Sequence, residues 1–339
     1  MVLMFSDPHH PDLRPPPPGF SIRRPTVDDI PKVAALFAAC SMDRIGMVTI
    51  REGDLRARWH DVVDYEDLLL VEHPEADPPL VAYAEFHADL DPFTGELDLH
   101  VEGRVHPDWT GHGLASFTHG RAEDRARRAA RDLKRDHAVL RTAVVDGDDR
   151  ARAFFDNRGY VPVRHFLELR LDLHADPPKP AWPDGVTCRT FQPGADEAAV
   201  WEAHQRAFDD VPTYLPMEFD DFIEDRIKRD PAFDPNLWLL AEYQGEIIGI
   251  AICRSGTQTA REDGWVRDLA VVPEWRRAGV GMSLLRAAFR AFRERGLTGV
   301  GLEVDDVTVE GAVELYRRAG MRIVRRTDVL EAVLRVPGP

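Results

Sequence analysis

The chain of 339 residues contains the same order of parts twice. The segment Val105–Ala115 aligns with Val271–Gly281, and three residue types recur at equivalent positions. These positions are Pro107 and Pro273, Trp109 and Trp275, and Gly113 and Gly279. In each half, a predicted strand, a helix and a two-strand unit precede the repeated segment, and a short helix ending in glycine follows it. Such internal similarity indicates two copies of one structural unit, and a chain of this length is expected to form two domains of roughly 150 residues.

The C-terminal copy of the repeated segment has the character of an anion-binding loop. Arg276–Gly281 reads Arg-Arg-Ala-Gly-Val-Gly, between the apolar run Asp268–Val272 and the amphipathic stretch Met282–Phe292. Glycines let the backbone approach an anion closely, and the start of the helix offers free N–H groups. Arg276 and Arg277 add positive charge. The pattern predicts a cofactor that carries a pyrophosphate, although a strand–helix turn with glycines for geometry alone stays open.

The spacing of the glycines excludes two common nucleotide-binding loops. A dinucleotide-binding fingerprint needs a third glycine, but Gly279-Val-Gly281 is followed by Met282-Ser-Leu284. A Walker loop needs Gly-Lys-Ser/Thr, and the chain contains no such tripeptide.

Two segments of the C-terminal half resemble signatures of the GNAT acetyltransferases. Arg276, Gly279 and Gly281 fill the defining positions of motif A, Gln/Arg-x-x-Gly-x-Gly/Ala. The segment Gly311–Met321 is similar to motif B. Its matching residues are Ala312, Leu315, Tyr316 and Gly320, whereas Met321 replaces the usual aromatic residue and Val309 the usual asparagine.

The resemblance implies an N-acetyltransferase that uses acetyl-CoA and no metal. The expected cofactor-binding residues are Leu269, Val271, Val272, Arg276, Arg277, Gly279, Val280, Gly281 and Met282. It also implies two consecutive GNAT-like α/β domains, each with a mostly antiparallel sheet, a splayed parallel strand pair and flanking helices. This tandem plan is similar in architecture to that of mycothiol synthases, in which catalysis is assigned to the C-terminal unit.

The resemblance also implies the catalytic residues. Tyr316 matches the tyrosine that commonly protonates the departing coenzyme A thiolate. Many family members carry a glutamate base near the start of the preceding strand, but that position is Trp265, which cannot act as a base. The nearby candidates are Asp268, Glu303, Glu262 and Asp263. Asp268 is the preferred base, with an ion pair to an arginine as the open alternative.

The N-terminal copy matches the family less well. Thr110 replaces the basic residue of the loop, and Phe155, which has no proton to give, stands where Tyr316 stands. A candidate second cofactor site comprises Val105, Gly111, His112, Gly113 and Ala115. We therefore expect the C-terminal half to be the catalyst. The N-terminal half binds cofactor, shapes the substrate cleft or only supports the fold.

Composition predicts the boundaries of the domains. A proline-rich tail, 1–18, is expected to be disordered because it has little apolar surface. The N-terminal domain then covers 19–175 and the C-terminal domain 186–336. Between them, 176–185 is a linker stiffened by prolines.

Charge and composition limit the partners. A net charge of −16 argues against nucleic acid and suits a cationic amine acceptor. The segment 208–225, which mixes carboxylates with Tyr214, is expected to contact that acceptor, whereas the neighbouring His204 is interpreted as a satisfied core histidine. No signal peptide or membrane-spanning run is recognisable, and three isolated cysteines fit a reducing cytoplasm.

Three hypotheses for the function stay open. The preferred one is acetyl transfer to a small-molecule amine, by direct attack in a ternary complex. The alternatives are a protein or peptide N-acetyltransferase and a non-catalytic acyl-CoA sensor or scaffold. A monomer and a homodimer are both compatible with the sequence.

Overall fold

A computed structural model describes residues 14–46, 48, 50–61, 67–211, 214–256, 263–305 and 311–336. Contacts divide the chain into two compact units. The first comprises the chain up to Arg164 together with the segment from Thr327 onward, and the second runs from His165 to Arg326.

The first unit contains a six-stranded sheet. Its elements in chain order are β1 (Ser21–Arg23), α1 (Ile30–Ile45), α2 (Glu52–Asp61), β2 (Leu68–Glu72), β3 (Leu80–Leu90), β4 (Leu97–Val105), α3 (Leu114–Asp132), β5 (His137–Val145), α4 (Asp149–Asp156) and, from Thr327, the last strand β12 (Arg322–Arg335). The strand order is β1-β2-β3-β4-β5-β12. The β4–β5 pair is parallel and the other pairs are antiparallel.

The second unit repeats this arrangement. Its elements are β6 (Val161–Asp172, from His165), β7 (Val186–Thr190), α5 (Glu197–Phe208), α6 (Phe219–Ile223) with a π-helical turn at Glu224–Lys228, β8 (Trp238–Tyr243), β9 (Glu246–Ser255), β10 (Asp263–Val271), α7 (Val280–Glu294), β11 (Gly299–Asp305) and α8 (Ala312–Arg318). The strand order is β6-β11-β10-β9-β8-β7, and only β10–β11 is parallel among its described pairs.

The parallel pair separates part-way along its length in each unit. Among the described residues, β10 pairs with β11 only from Asp263–Gly299 to Trp265–Gly301. In the first unit, β4 pairs with β5 only over Asp98–His100. The predicted fold class, a mixed sheet with a splayed parallel pair and flanking helices, is confirmed.

Each unit completes its sheet with a strand from the other half of the chain. The strand β6 precedes the linker, yet its residues Phe166–Asp172 pair with β11. The last strand does the reverse, because Thr327–Arg335 pairs with β5. The boundaries 19–175 and 186–336 stay predictions, and sequence reasoning did not foresee this exchange.

Helices cover both faces of the second unit's sheet. The buried stripe of α7, which includes Leu284 and Phe292, packs on one face. On the other face, α5 contributes Val200 and Ala203 to a separate cluster. The splayed end of β10 therefore lies between an apolar helix on one side and α5 on the other.

The proline-rich segments lie against the long helices. Arg14 donates from Nε to Asp124 of α3 at 2.8 Å. The carbonyl of Ala181, in the linker, accepts a hydrogen bond from Ser283 Oγ of α7 at 2.7 Å. Arg14 thus has a partner on α3, and residues 1–13 lie outside the described residues, so the disorder of the tail 1–18 stays a prediction.

Candidate active site

The loop between β10 and α7 has a backbone suited to an anion. Arg276 is extended (φ −65°, ψ 152°), and Arg277 has a positive φ of 63°. Gly279 follows with φ 93° and caps the start of α7, where an added Cβ would meet nothing within 4 Å. No side chain therefore crowds the start of this 15-residue helix, and its first N–H groups have no partner within the helix.

The side chain of Arg276 has a partner within the protein. Its guanidinium binds Asp210 through two contacts, at 2.6 and 2.8 Å, and also donates to the carbonyl of Ala207 at 2.8 Å. The bond to Asp210 raises the pKa of Arg276. Arg276 thus ties the loop between β10 and α7 to the C-terminal end of α5.

Two N–H groups of β10 point into the gap left by β11. Val272 N–H bonds to Ile248 O of β9, and N–H directions alternate along an extended strand. The N–H groups of Val271 and Leu269 therefore point away from β9, toward the side where β11 has separated. Donors at such a position suit the carbonyl groups of an extended ligand or the oxygen of a thioester.

The remaining predicted cofactor residues surround the start of α7. Val272 and Val280 are buried in the core, with 1% and 0% exposure. Gly281 is in van der Waals reach of Val271 and Leu315, so a Cβ there would fit at 3.4 Å or more. Met282 is half-buried in the first turn of the helix.

Tyr316 is buried on α8 beside these elements. It is 8% exposed and belongs to the core cluster of α7 and β11. Burial, and secondly the charge of Asp268, raises the pKa of Tyr316 to about 12. The phenol is therefore protonated at neutral pH and has a proton to give.

Asp268 belongs to a buried network of ionic groups. Arg226 Nε donates to its Oδ2 at 3.0 Å, and each of the two side chains is 13% exposed. Burial opposes ionisation, but interactions with His204 and Arg226 outweigh it and lower the pKa of Asp268 to about 2. A carboxylate with so low a pKa is a weak base at neutral pH, which favours the ion-pair interpretation of Asp268.

Two backbone irregularities bring this network together. A β-bulge in β10 shifts the register between Val266 and Asp268. The π-helical turn after α6 lies opposite, and its Asp225 accepts from Arg267 Nη2 at 2.7 Å. Asp225 is also paired with Arg226. Bulges and π-helical turns are frequent at functional sites, where they redirect side chains.

His204 is buried, but only one of its two ring nitrogens has a hydrogen-bond partner among the described residues. Its ring is buried between Phe208 and Phe222, with centroid separations of 4.7 and 5.4 Å. Nδ1 lies 3.2 Å from the hydroxyl of Tyr214. Nε2 is buried, has no hydrogen-bond partner among the described residues and lies 3.8 Å from Asp268 Oδ1. The prediction of a fully satisfied histidine was wrong for this nitrogen.

The other candidate bases lie in different surroundings. Asp263 is 4% exposed and accepts from Arg170 at 3.0 Å, so it serves an ion pair. Glu303 pairs across the sheet with Glu168 of β6. Partial desolvation, and secondly the charge of Glu168, raises the pKa of Glu303. Glu262, as well as Val309 at the family's asparagine position, lies outside the described residues.

Comparison with known proteins identifies the fold and the chemistry. The profile of the Acetyltransferase (GNAT) family matches residues 198–321. A mycothiol acetyltransferase of Thermobispora bispora is 33% identical over 238 residues, covering 68% of this chain and 72% of the relative. A second, from Streptomyces bingchenggensis, is 34% identical over 257 residues, covering 75% and 77%. The chain belongs to the GNAT acetyltransferase family.

Solved structures show that the tandem arrangement has precedent. A GNAT protein from Sphaerobacter thermophilus superposes with a TM-score of 0.76 at 29% identity, covering 95% of this chain and 98% of that chain. A tandem GNAT protein from the clavulanic acid biosynthesis pathway has a TM-score of 0.68 at 17% identity, covering 94% and 99%, and shows the fold alone. The protein is thus a tandem GNAT N-acetyltransferase, as the resemblance implied.

The first GNAT unit keeps the backbone of the loop. Thr110 (φ −67°, ψ 152°) and Gly113 (φ 79°, ψ 2°) nearly repeat the angles of Arg276 and Gly279, and Gly111 has φ 85°. The side chains differ, because His112 Nδ1 faces the carbonyl oxygens of Trp109 and Thr110 at 3.3 and 3.2 Å. Val105 is buried below the loop, and Ala115 is exposed on the first turn of α3.

The described residues of this GNAT protein offer no obvious metal site or membrane span. No group of three or more histidine, cysteine, aspartate or glutamate side chains among them is placed to hold a metal ion. In the same part of the chain, every helix is too short or too polar to cross a bilayer.

Proposed function

We propose that the second unit moves an acetyl group from acetyl-CoA to the amine of a small molecule, by direct attack in a ternary complex. The observation that carries this proposal is the pairing of a glycine loop with a buried tyrosine. Gly279 and Tyr316 occur together in the second unit, whereas the first unit has Gly113 with Phe155. The family profile also matches residues 198–321, which lie in the second unit.

The proposed cofactor contacts follow the loop and the splayed strand. The N–H groups at the start of α7 and the side chains of Arg276 and Arg277 would hold the pyrophosphate. Leu269 and Val271 would donate to the extended arm. Bound acetyl-CoA supplies the activated acyl group, a thioester carbonyl next to a good leaving group.

The chain's own groups then perform two tasks. An N–H group of β10 withdraws electron density from the carbonyl as charge develops on its oxygen. Tyr316 gives its proton to the departing thiolate, which suits a phenol kept protonated by burial. Asp268, as an ion pair with Arg226, orients its neighbours rather than acting as the base by itself.

The acceptor is proposed to be a small cationic amine. Two relatives are named mycothiol acetyltransferases, and mycothiol is a small molecule. Their names therefore support a small-molecule acceptor here. The net charge of −16 favours a cationic acceptor. A protein acceptor and a non-catalytic sensor remain alternatives, as do the two oligomeric states. A cytoplasmic location is also part of the proposal, supported by three free cysteines.

The experiment is a comparison of Tyr316→Phe with wild type in steady-state acetyl transfer to a panel of amines. Release of the coenzyme A thiol is followed with a chromogenic disulfide. We expect kcat to fall about 100-fold, with unchanged affinity for acetyl-CoA by calorimetry, because general acid catalysis contributes at least that much.

Tyr243→Phe is the matched control. It removes the hydroxyl of another tyrosine in the same unit, whose ring packs on Trp275 and whose hydroxyl contacts only the side chain of Gln244 among its described hydrogen-bond partners. Its kcat should equal that of wild type. Full activity of Tyr316→Phe would refute the role of Tyr316. Tight binding of acetyl-CoA by wild type without any turnover would favour a sensor.

A further inference from the structure

The hydrogen bonds around His204 determine where its ring carries a proton. Gln205 Nε2 donates to Met217 O at 3.2 Å, which turns its Oε1 toward Tyr214. The Tyr214 hydroxyl donates its single hydrogen to that Oε1. The same hydroxyl oxygen lies 3.2 Å from His204 Nδ1, so it accepts from Nδ1–H. In the neutral ring, Nε2 is then left with a free lone pair.

That lone pair faces a second acceptor. His204 Nε2 and Asp268 Oδ1 are 3.8 Å apart, with side-chain exposures of 5% and 13%. Two acceptors so close require a donor between them, either a proton on Nε2 or the N–H groups of a bound molecule. A nitrogen at about 2.9 Å from each atom satisfies both acceptors at this separation.

The first unit shows that the fold does not require an imidazole here. Asp196 binds Arg189 of β7, and Asp29 binds Arg23 of β1 in the equivalent way. Eight residues after these aspartates stand His204 on α5 and Phe37 on α1. Phe37 is completely buried, so a hydrocarbon ring packs well at this helix position.

The acidic partner is present in both units. Asp268 lies three residues before Val271, and Glu102 lies three residues before Val105. Glu102 is held by Arg58 at 2.5 Å, as Asp268 is held by Arg226. The first unit thus keeps the acid and its arginine.

Two of the positions that differ between the units carry groups able to exchange protons in the second unit. Phenylalanine replaces His204, as Phe37, and also replaces Tyr316, as Phe155. A histidine needed only for packing would have no reason to change together with the tyrosine that is proposed as the acid.

We propose that His204 Nε2, held by Tyr214 and Asp268, accepts the proton of the acceptor ammonium. This inference rests on the proposed function and supplies the base that Trp265 cannot provide. The acceptor is a primary amine that binds as an ammonium between Nε2 and Oδ1, through its own N–H groups.

The reaction then balances. The ammonium loses one proton to Nε2, and the free amine forms a C–N bond with the thioester carbon. The C–S bond breaks, and the thiolate takes the phenolic proton of Tyr316. The nitrogen loses its second proton, which restores the phenol, and His204 releases the first proton to solvent.

The charged and titratable groups near His204 favour this role. Asp268 on β10 stabilises the imidazolium that forms, and Arg226 keeps Asp268 ionised. Tyr214, the only other titratable group hydrogen-bonded to the ring among the described residues, fixes the Nδ1 proton. Asp225 and Arg267 complete the network, and their charges offset each other.

The test measures kcat/KM against pH for wild type, His204→Gln and His204→Phe, with acetyl-CoA and the amine that wild type acetylates best. We expect both variants to lose about 100-fold or more at pH 7. The deficit should shrink at alkaline pH, where the free amine needs no base. The dissociation constant for acetyl-CoA should be unchanged by calorimetry.

His119→Gln is the matched control, since it replaces the buried histidine of the first unit, which contacts Tyr160 at 3.0 Å. It should keep the wild-type pH profile. His204 variants with rates within threefold of wild type and the same profile would overturn the proposal.

A second measurement uses wild type alone and does not depend on the folding of any variant. Nitrogen chemical shifts of the imidazole should show the neutral ring of His204 protonated on Nδ1. A ring protonated on Nε2 in the neutral form would also overturn the proposal. Failure of the proposed function would be seen separately, as absence of acetyl-CoA binding or thiol release in wild type.

Discussion

Replacement of Asp268 by asparagine tests the ionic network at the site. The pKa of Asp268 falls from an ordinary 3.8 to about 2 in the folded protein. This difference corresponds to about 2 kcal/mol of stability that is present when the carboxylate is ionised in both states. Because the folded pKa is the lower one, the stabilisation is complete well above pH 4 and is lost as the pH falls toward 2.

The expected result is a loss of stability that depends on pH. Asp268→Asn should unfold more easily than wild type by about 2 kcal/mol at pH 7 and by about 1 kcal/mol at pH 3. Urea unfolding, followed by tryptophan fluorescence and circular dichroism, measures the transition that shifts. Glu274→Gln is the control, since Glu274 is two-thirds exposed and lies 3.8 Å from Arg206. A deficit that does not change with pH would refute the depressed pKa.

Two further pairs of substitutions probe packing and the loop between β10 and α7. Gly264→Ala should lower the Tm through about 1–3 kcal/mol of overpacking, because its Cβ would lie 2.4 Å from the buried ring of Phe292. In Gly281→Ala the nearest contact is 3.4 Å, so its Tm should change much less. Arg276→Ala should raise the KM for acetyl-CoA about tenfold, whereas Asp210→Asn should lower it, since Asp210 competes for the same guanidinium. Equal effects of the last two substitutions would contradict this competition.

The local parts of the fold were predictable from the sequence. The turn between β8 and β9 falls on Gln244 and Gly245, with φ of 51° and 86°, and glycine favours such a turn. The helix Glu197–Phe208 buries Val200, Ala203 and Ala207, a spacing that predicts an amphipathic helix. The glycine loop was recognisable because the geometry it needs restricts the residue types.

Long-range pairing was not predictable in the same way. The apolar pattern of β6 fits a strand in either sheet, and nothing in its sequence specifies β11 as its neighbour. The contact of Arg14 with α3 was also not predicted. It depends on Gly120, because a Cβ at that position would collide with the guanidinium. Composition alone does not reveal such a contact.

Part of the candidate site came from the resemblance of two segments to family motifs. Tyr316 and the loop residues were assigned in this way, and their roles stay predictions. The approach of His204 to Asp268 depends on a bulge and a π-helical turn, neither of which has a clear sequence signal. One sign was available, however, since alignment of the two halves places Phe37 opposite His204.

The most direct test of the account compares Gly279→Asp with Gly113→Asp. Both glycines have a positive φ, and an added Cβ at either position meets nothing within 4 Å, so the backbone strain is matched. Each aspartate places a negative charge where the loop of its unit would hold a pyrophosphate. Acetyl-CoA binding is measured by calorimetry and turnover by thiol release. The account predicts that Gly279→Asp abolishes turnover and the binding on which it depends, while Gly113→Asp keeps turnover. Loss of turnover in Gly113→Asp with full activity in Gly279→Asp would contradict it.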